Sequence, residues 1–166
     1  NIIAVSGNCD YPAAEVCLET KGYGFAGKTM NKNGFCWGGI SGSLPCPGKT
    51  PQEYSEVELA KYLNRIEENR NPNLPFILVS HQPPFNTMND ILSNGTHVGS
   101  TSVRSYIESA APLLCLTGHI HEGIGVDTVK NCYVVNPGPF RTGKYAHILI
   151  DSHRSVNIEL KQITLQ

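Results

Sequence analysis

The chain has 166 residues, long enough for one domain with a real core, and its 13 Lys plus Arg against 14 Asp plus Glu leave a net charge of -1. That balance gives no basic surplus for nucleic acid or an anionic membrane surface. With 40% hydrophobic and 16% charged residues the composition is globular, and no apolar run approaches the roughly 18 residues of a membrane span.

IIAVS (2–6) reads as a short β-branched strand. PAAEVCLETKG (12–22) reads as a helix, with Asp10 as its N-cap, Pro12 in its first turn and Gly22 as its stop. GFAGKTM and GFCWGGI flank Asn31-Lys32-Asn33-Gly34 and predict a hairpin. SGSLPCPGKTP (41–51) is a Gly/Pro/Ser loop. SEVELAKYLNRIEENR (55–70) opens with a capping box, Ser55 and Glu58, and carries an apolar stripe of Leu59, Leu63 and Ile66. FILVS (76–80) and LLCLT (113–117) are continuous apolar runs, as expected of strands covered on both faces, and SVRSYIESA (102–110) between them is a helix. CYVVN (132–136), AHILI (146–150) and VNIELKQITL (156–165) form a β-rich tail. Strands alternating with helices predict an α/β fold.

The six cysteines form no Cys-x-x-Cys pair, and Cys17, Cys115 and Cys132 sit in apolar patterns where a thiol is a small hydrophobe. They point to a reducing compartment, the cytoplasm, and no disulfide framework. No signal peptide is visible in NIIAVSGNCD, and the sequon Asn94-Gly95-Thr96 is accordingly taken as chance.

Three of the strand-like runs end alike. IIAVS leads into Gly7-Asn8-Cys9-Asp10, FILVS into His81-Gln82-Pro83-Pro84, and LLCLT into Gly118-His119-Ile120-His121. In an open α/β sheet such strand ends share one edge, where ligands gather. An amide oxygen and imidazole nitrogens suit Mn, Fe, Zn, Ni or Co better than Ca or Mg. The bland alternatives are turn histidines making ordinary hydrogen bonds, and a turn or capping role for Asn8.

GNCD, SHQPP and GHIH, in this order, resemble three motifs of the calcineurin-like metallophosphoesterases. GNCDYP, the loop GGISGSLPCPGKTPQEYSE, SHQPPF, THVGS, LCLTGHIHEGIGVD and VVNPGPF are especially similar to a mainly archaeal subgroup. The resemblance implies a four-layer α/β/β/α sandwich formed by residues 1–166 as a single domain. It also implies two divalent transition metal ions, with Asn8, His81 and His119 on one, His121 on the other, and Asp10 orienting the loop. The implied reaction is hydrolysis of a phosphorylated small molecule or a phosphodiester, in which the ions, roughly 3.5–4 Å apart, activate water.

The sequence departs from the family pattern twice. Asp-x-His and Gly-Asp, which should precede GNCD and supply most ligands of the second metal, are absent, so the expectation is a missing front of at least one βαβ unit, on the order of 30 residues. Cys9 stands where the family has a histidine that helps protonate the leaving group, and a thiol is a poorer acid for that purpose than an imidazolium. His97 is a candidate substitute on the substrate side, and Arg141 a candidate phosphate ligand with its bidentate guanidinium. Tyr11, Trp37 and Phe85 are candidates for a pocket lining or for core. Asp151-Ser152-His153 matches Asp-x-His by letter, but no Gly-Asp follows, so it is assigned to a turn and His147 and His153 to structure. Two rivals stand beside the enzyme: a non-catalytic partner-binding scaffold with an incomplete metal site, and a mononuclear metal protein using Asn8, His81 and His119. The loop 41–51 and the segment 85–100 are expected to shape specificity.

Overall fold

A computed structural model describes residues 2–163. Its elements in chain order are α1 (Pro12–Thr20), β1 (Thr29–Lys32), β2 (Phe35–Ile40), α2 (Glu56–Asn69), β3 (Phe76–Ser80), α3 (Thr101–Ala110), β4 (Leu114–Thr117), β5 (Gly125–Val129), β6 (Cys132–Asn136), β7 (Lys144–Ile150) and β8 (Val156–Gln162). Short 3-10 turns lie at Met88–Asp90 and Phe140–Thr142. Strands β1 to β6 form one sheet in the order β1-β2-β3-β4-β6-β5, and β7 and β8 form a separate two-stranded ribbon.

Strands β2, β3, β4 and β6 run parallel, with β1 and β5 antiparallel at the two edges. Side chains alternate across this sheet, which is why FILVS is apolar throughout. Phe76 and Leu78 pack on α2 and α3 with Leu59, Leu63, Ile66, Val103 and Ile107. Ile77, with Leu114 and Val135, packs the other way, against Ala146, Ile148, Ile150, Val156 and Ile158 of the ribbon. The described residues thus build three of the expected layers, α/β/β. The α2 stripe is buried as its 3.6-residue period requires. Each of Leu59, Leu63 and Ile66 contributes about 1.5–3 kcal/mol by leaving water.

Local capping explains where the helices start. Ser55 and Glu58 make the capping box of α2, the Ser55 side chain accepting from the Glu58 N–H while the Glu58 carboxylate accepts from the Ser55 N–H at 2.8 Å. Glu56 crosses to α3, where its carboxylate accepts from the N–H of Thr101 (2.7 Å) and of Ser102 (3.1 Å) and from the Ser100 hydroxyl (2.6 Å). Burial pushes the Glu56 carboxyl up, but these hydrogen bonds outweigh it and hold the group below the usual carboxylate range. In the hairpin between β1 and β2, Asn33 and Gly34 both take positive φ, 53° and 80°, as a type I′ turn demands.

Three sequence expectations are corrected and one strand is added. Residues 2–6 are not a strand: the segment makes a single parallel bridge, Ala4 with Gly24, because its neighbour lies alongside too briefly for a ladder. Asp10 does not cap α1; Tyr11 occupies the cap without a side-chain bond, and the Asp10 carboxylate accepts from the Gly7 N–H at 2.7 Å instead. Cys17 is exposed, whereas Cys36, Cys115 and Cys132 are buried, and all six thiols are free. Strand β5, GVDTV, went unrecognised because it is short, carries Gly, Asp and Thr, and is stabilised only by pairing with β6. Trp37 packs against the cluster of Ile77, Leu114 and Val135, and Tyr11 is exposed. Asp151 accepts from the His153 and Ser155 N–H groups, both at 2.8 Å, and closes the turn between β7 and β8. Among the described residues no helix is long and apolar enough to cross a membrane.

Candidate metal centre

The register of the parallel strands brings the motif loops together. Ser80 of β3 faces Thr117 of β4, and Ile40 of β2 faces Ser80, so the residues after these strands leave the sheet at one edge. His81 continues the ladder by donating its N–H to Ile40 O at 3.0 Å. Its own carbonyl accepts from the Thr117 hydroxyl and the Gly118 N–H, both at 3.3 Å, which ties the two histidine loops to each other.

Asn8 reaches the same point from the other side. Its Oδ1 lies 3.0 Å from His81 Nε2 and 3.1 Å from His119 Nδ1. The two imidazoles meet edge to face with centroids 5.2 Å apart. Two backbone features make this approach feasible. A Cβ added at Gly7 would lie 2.8 Å from His81 Cε1, so only glycine lets the ring seat there. His119 has φ 63°, a left-handed conformation that costs a non-glycine residue about 1–3 kcal/mol and turns its ring toward Asn8.

The orientation of the Asn8 amide follows from its neighbours. Its Nδ2 donates to Thr50 Oγ1 at 3.0 Å, and that hydroxyl donates onward to Glu53 Oε1 at 2.8 Å. The same carboxylate oxygen accepts from the Thr50 N–H (2.6 Å) and the Cys46 thiol (3.2 Å). These three bonds, the Thr50 N–H first and the Cys46 thiol next, hold the Glu53 carboxyl down at about 2, so it stays an acceptor at neutral pH. Because the Thr50 proton is committed to Glu53, its lone pair takes the Asn8 NH2, and the amide oxygen must face the imidazoles. Gln52 fastens the loop from below: its backbone N–H donates to Asn8 O, and its amide NH2 reaches Ser6 Oγ, Gly7 O and Asp10 O at 3.1, 3.3 and 2.9 Å.

Both inner histidines are held neutral. Burial, and then the neighbouring His119, lowers His81 to about 4; burial, and then His121, lowers His119. Neutral rings offer two chemistries at these separations. Each can donate an N–H to the amide oxygen, or, with the other tautomer, present a lone pair beside it. Two ligands at about 2.1 Å from one ion and at right angles are themselves about 3.0 Å apart, which matches the observed spacings. Among the described residues no three His, Cys, Asp or Glu side chains lie close enough to hold an ion; the convergent set is two imidazoles completed by an amide oxygen. That set fits one borderline divalent ion.

The remaining candidates stand differently. His121 is exposed, and its Nδ1 accepts from Arg141 Nη2 at 3.4 Å. Both line the same cleft as Asn8, His81 and His119, together with Cys9, Asp10 and Thr50; the cleft encloses about 530 Å³. His97 does not line it. Its Nδ1–H donates to the buried Asp90 carboxylate at 2.6 Å, and its ring lies edge to face with Phe85. Thr50, Gln52 and Glu53 were missed from sequence. The letters Thr-Pro-Gln-Glu at 50–53 do carry the same S/T-x-x-E spacing as the box at Ser55, a usable sign of a side chain returning to its own backbone.

The loops after β3 and β4 thus meet a third, the loop of Gly7 to Asp10, at one edge of the sheet, and comparison with known proteins identifies the family. The family described as metallophosphoesterase, calcineurin superfamily, matches residues 38–163, and the chain belongs to that family. It is 38% identical over 143 residues to MJ1162, an uncharacterized protein of Methanocaldococcus jannaschii, a match covering 83% of this chain and 64% of that one. One solved structure superposes with a TM-score of 0.75 at 24% identity, over 96% of this chain and 65% of its own. The crystal structure of TT1561 of Thermus thermophilus superposes with a TM-score of 0.59 at 21% identity, over 89% of this chain and 63% of its own. At those identities both structures speak for the fold alone. The chain thus spans just under two thirds of the length of these relatives, and Asn8 precedes the family match. The superfamily is generally one of metal-dependent hydrolases.

Proposed function

We propose that this chain carries the phosphoester-binding centre of a metal-dependent phosphoesterase acting on a phosphomonoester or phosphodiester. The observation that carries the reading is the meeting of Asn8 Oδ1 with His81 Nε2 and His119 Nδ1 at 3.0 and 3.1 Å. Asn8, His81 and His119 would hold one divalent ion of the Mn, Fe, Zn or Ni type, and His121 is the ligand that the described residues offer a second. An ion held there would supply Lewis acidity to a phosphoryl oxygen and lower the pKa of water so that hydroxide is available near neutral pH.

The chain's own residues do the rest. The Glu53–Thr50–Asn8 relay fixes the amide oxygen in place before any ligand arrives, so no reorganisation is needed at the moment of binding. Neutral His81 and His119 keep their lone pairs at pH 7. Arg141, on the rim beside His121, presents a guanidinium whose fork matches two phosphoryl oxygens. Cys9 lines the cleft where the family pattern has a histidine, and the loss of that imidazole favours esters of acidic alcohols, which need less help in leaving. The reading extends to a cytoplasmic protein, in keeping with its six free thiols.

Metal analysis joined to a bis-p-nitrophenyl phosphate assay with added Mn tests this on the complete protein. Bound metal and turnover should both be present, and His119→Ala should remove both. Turnover that survives His119→Ala removes the mechanism. A second reading, a partner-binding scaffold of the same fold, is favoured by the exposed, Arg-paired state of His121; metal uptake without turnover of the p-nitrophenyl ester would count for it against the enzyme.

A further inference from the structure

We infer that the substrate is a phosphoester with one compact apolar substituent, such as an aryl or short branched alkyl group, seated in a subsite beside His119. The inference deepens the phosphoesterase reading and rests on it. A pocket of about 210 Å³ opens next to the metal-binding cleft. One wall is Leu44, Pro45 and Pro47, from the Pro-rich loop; the other is Leu92, Val98 and Ile120. Cys46 and His119 line both this pocket and the cleft, so the two volumes adjoin. A phosphoryl group lying against His119 therefore has its ester substituent within reach of the apolar walls.

The size and chemistry select the occupant. A dry apolar cavity of about 150 Å³ takes one benzene ring, so 210 Å³ suits a single ring or a few branched carbons. No charged side chain lines it, so a sugar, glycerol or anionic substituent would lose hydrogen bonds to water without replacement.

The pocket is built in advance. Gln82, fully buried, accepts from Leu44 N–H on its Oε1 (3.0 Å) and donates from Nε2 to Val98 O (2.9 Å), bolting one wall to the other across its floor. Buried Asp90 stiffens the second wall: its carboxylate accepts from the N–H groups of Asn86, Thr87 and Gly99 and from His97, and its carbonyl accepts from Val98 N–H. His97 thereby acts as a positioning residue for the Leu92–Val98 wall.

The test compares phenyl with methyl esters. Binding of phenylphosphonate and methylphosphonate to the Mn-loaded protein is measured by calorimetry, and kcat/KM for phenyl phosphate and methyl phosphate is measured in parallel. The phenyl compounds should be favoured at least about 10-fold. Leu92→Trp, which fills the pocket, should bring the phosphonate binding ratio close to one and lower the kcat/KM ratio to the preference that the better phenolate leaving group sets by itself, and Val98→Phe does the same should the first variant fold poorly. Ala146→Phe, which fills a larger hollow of about 420 Å³ under the ribbon, should leave the preference standing. A wild type that binds phenylphosphonate no better than methylphosphonate, a binding preference that survives both filling variants, or one lost only in Ala146→Phe overturns the subsite. Preferential phenylphosphonate binding without hydrolysis of either ester keeps the subsite and removes the hydrolase reading. Failure of both phosphonates to bind overturns both.

Discussion

The two sides of the cleft are built to different standards. On the inner side, His81 and His119 are half-buried and neutral, and share one amide oxygen whose direction is set by Thr50 and Glu53. On the outer side, His121 and Arg141 are exposed and share one hydrogen bond, at 3.4 Å. The difference teaches where precision resides. The inner groups are fixed by buried hydrogen bonds and by ring packing against Gly7, so their positions are set before a ligand comes. The outer groups trade one hydrogen bond for water at little cost, and a ligand must fix them.

The largest effect should come from breaking the inner side outright. His119→Ala should lower metal content and phosphoester turnover more than about 100-fold, exceeding the 10–100-fold typical of residues that merely orient a ligand. Elemental analysis and the p-nitrophenyl assay read both.

Thr50→Val keeps the shape and removes the relay, leaving the Asn8 NH2 and Glu53 without their shared hydroxyl. Metal affinity should fall about 10- to 100-fold with the fold intact by circular dichroism. An unchanged affinity would mean that the amide is held by something other than Thr50.

Gly7→Ala tests the packing that seats His81. The added methyl, 2.8 Å from Cε1, should cost about 1–3 kcal/mol of stability in urea unfolding and displace the ring. A variant as stable as the parent, with metal affinity retained, would show that the ring has room to move.

The smallest effect belongs to the outer side. Arg141→Ala should change KM for a phosphoester less than about 5-fold, in line with an exposed charged contact. A loss as large as that of His119→Ala would erase the distinction between the two sides.

What was legible in the sequence lies close in the chain or repeats with a period. The capping box at Ser55 and Glu58 spans one helical turn, so its letters determine it. Leu59, Leu63 and Ile66 announce a buried helix face by spacing alone, and FILVS and LLCLT announce strands covered on both sides. The motif letters also marked Asn8, His81, His119 and His121, and the family match now stands behind the fold. Where local signals needed a distant partner, they misled. IIAVS has the composition of a strand but makes only the bridge of Ala4 with Gly24 among the described residues, while GVDTV has a poor composition and pairs fully with β6.

The sequence by itself therefore determined the helices and the core strands, because helix periodicity, strand alternation and capping are short-range properties. Only the tertiary structure decided that Asn8 turns its oxygen inward through Thr50, that His97 bonds Asp90 rather than lining the cleft, and that Gln82 joins the loop at Leu44 to the segment at Val98. The Thr50 and Gln82 contacts join positions tens of residues apart, and the Asp90 bond depends on how its own loop folds back. Which partners meet in each case is set by strand register and loop packing, and no local pattern encodes that.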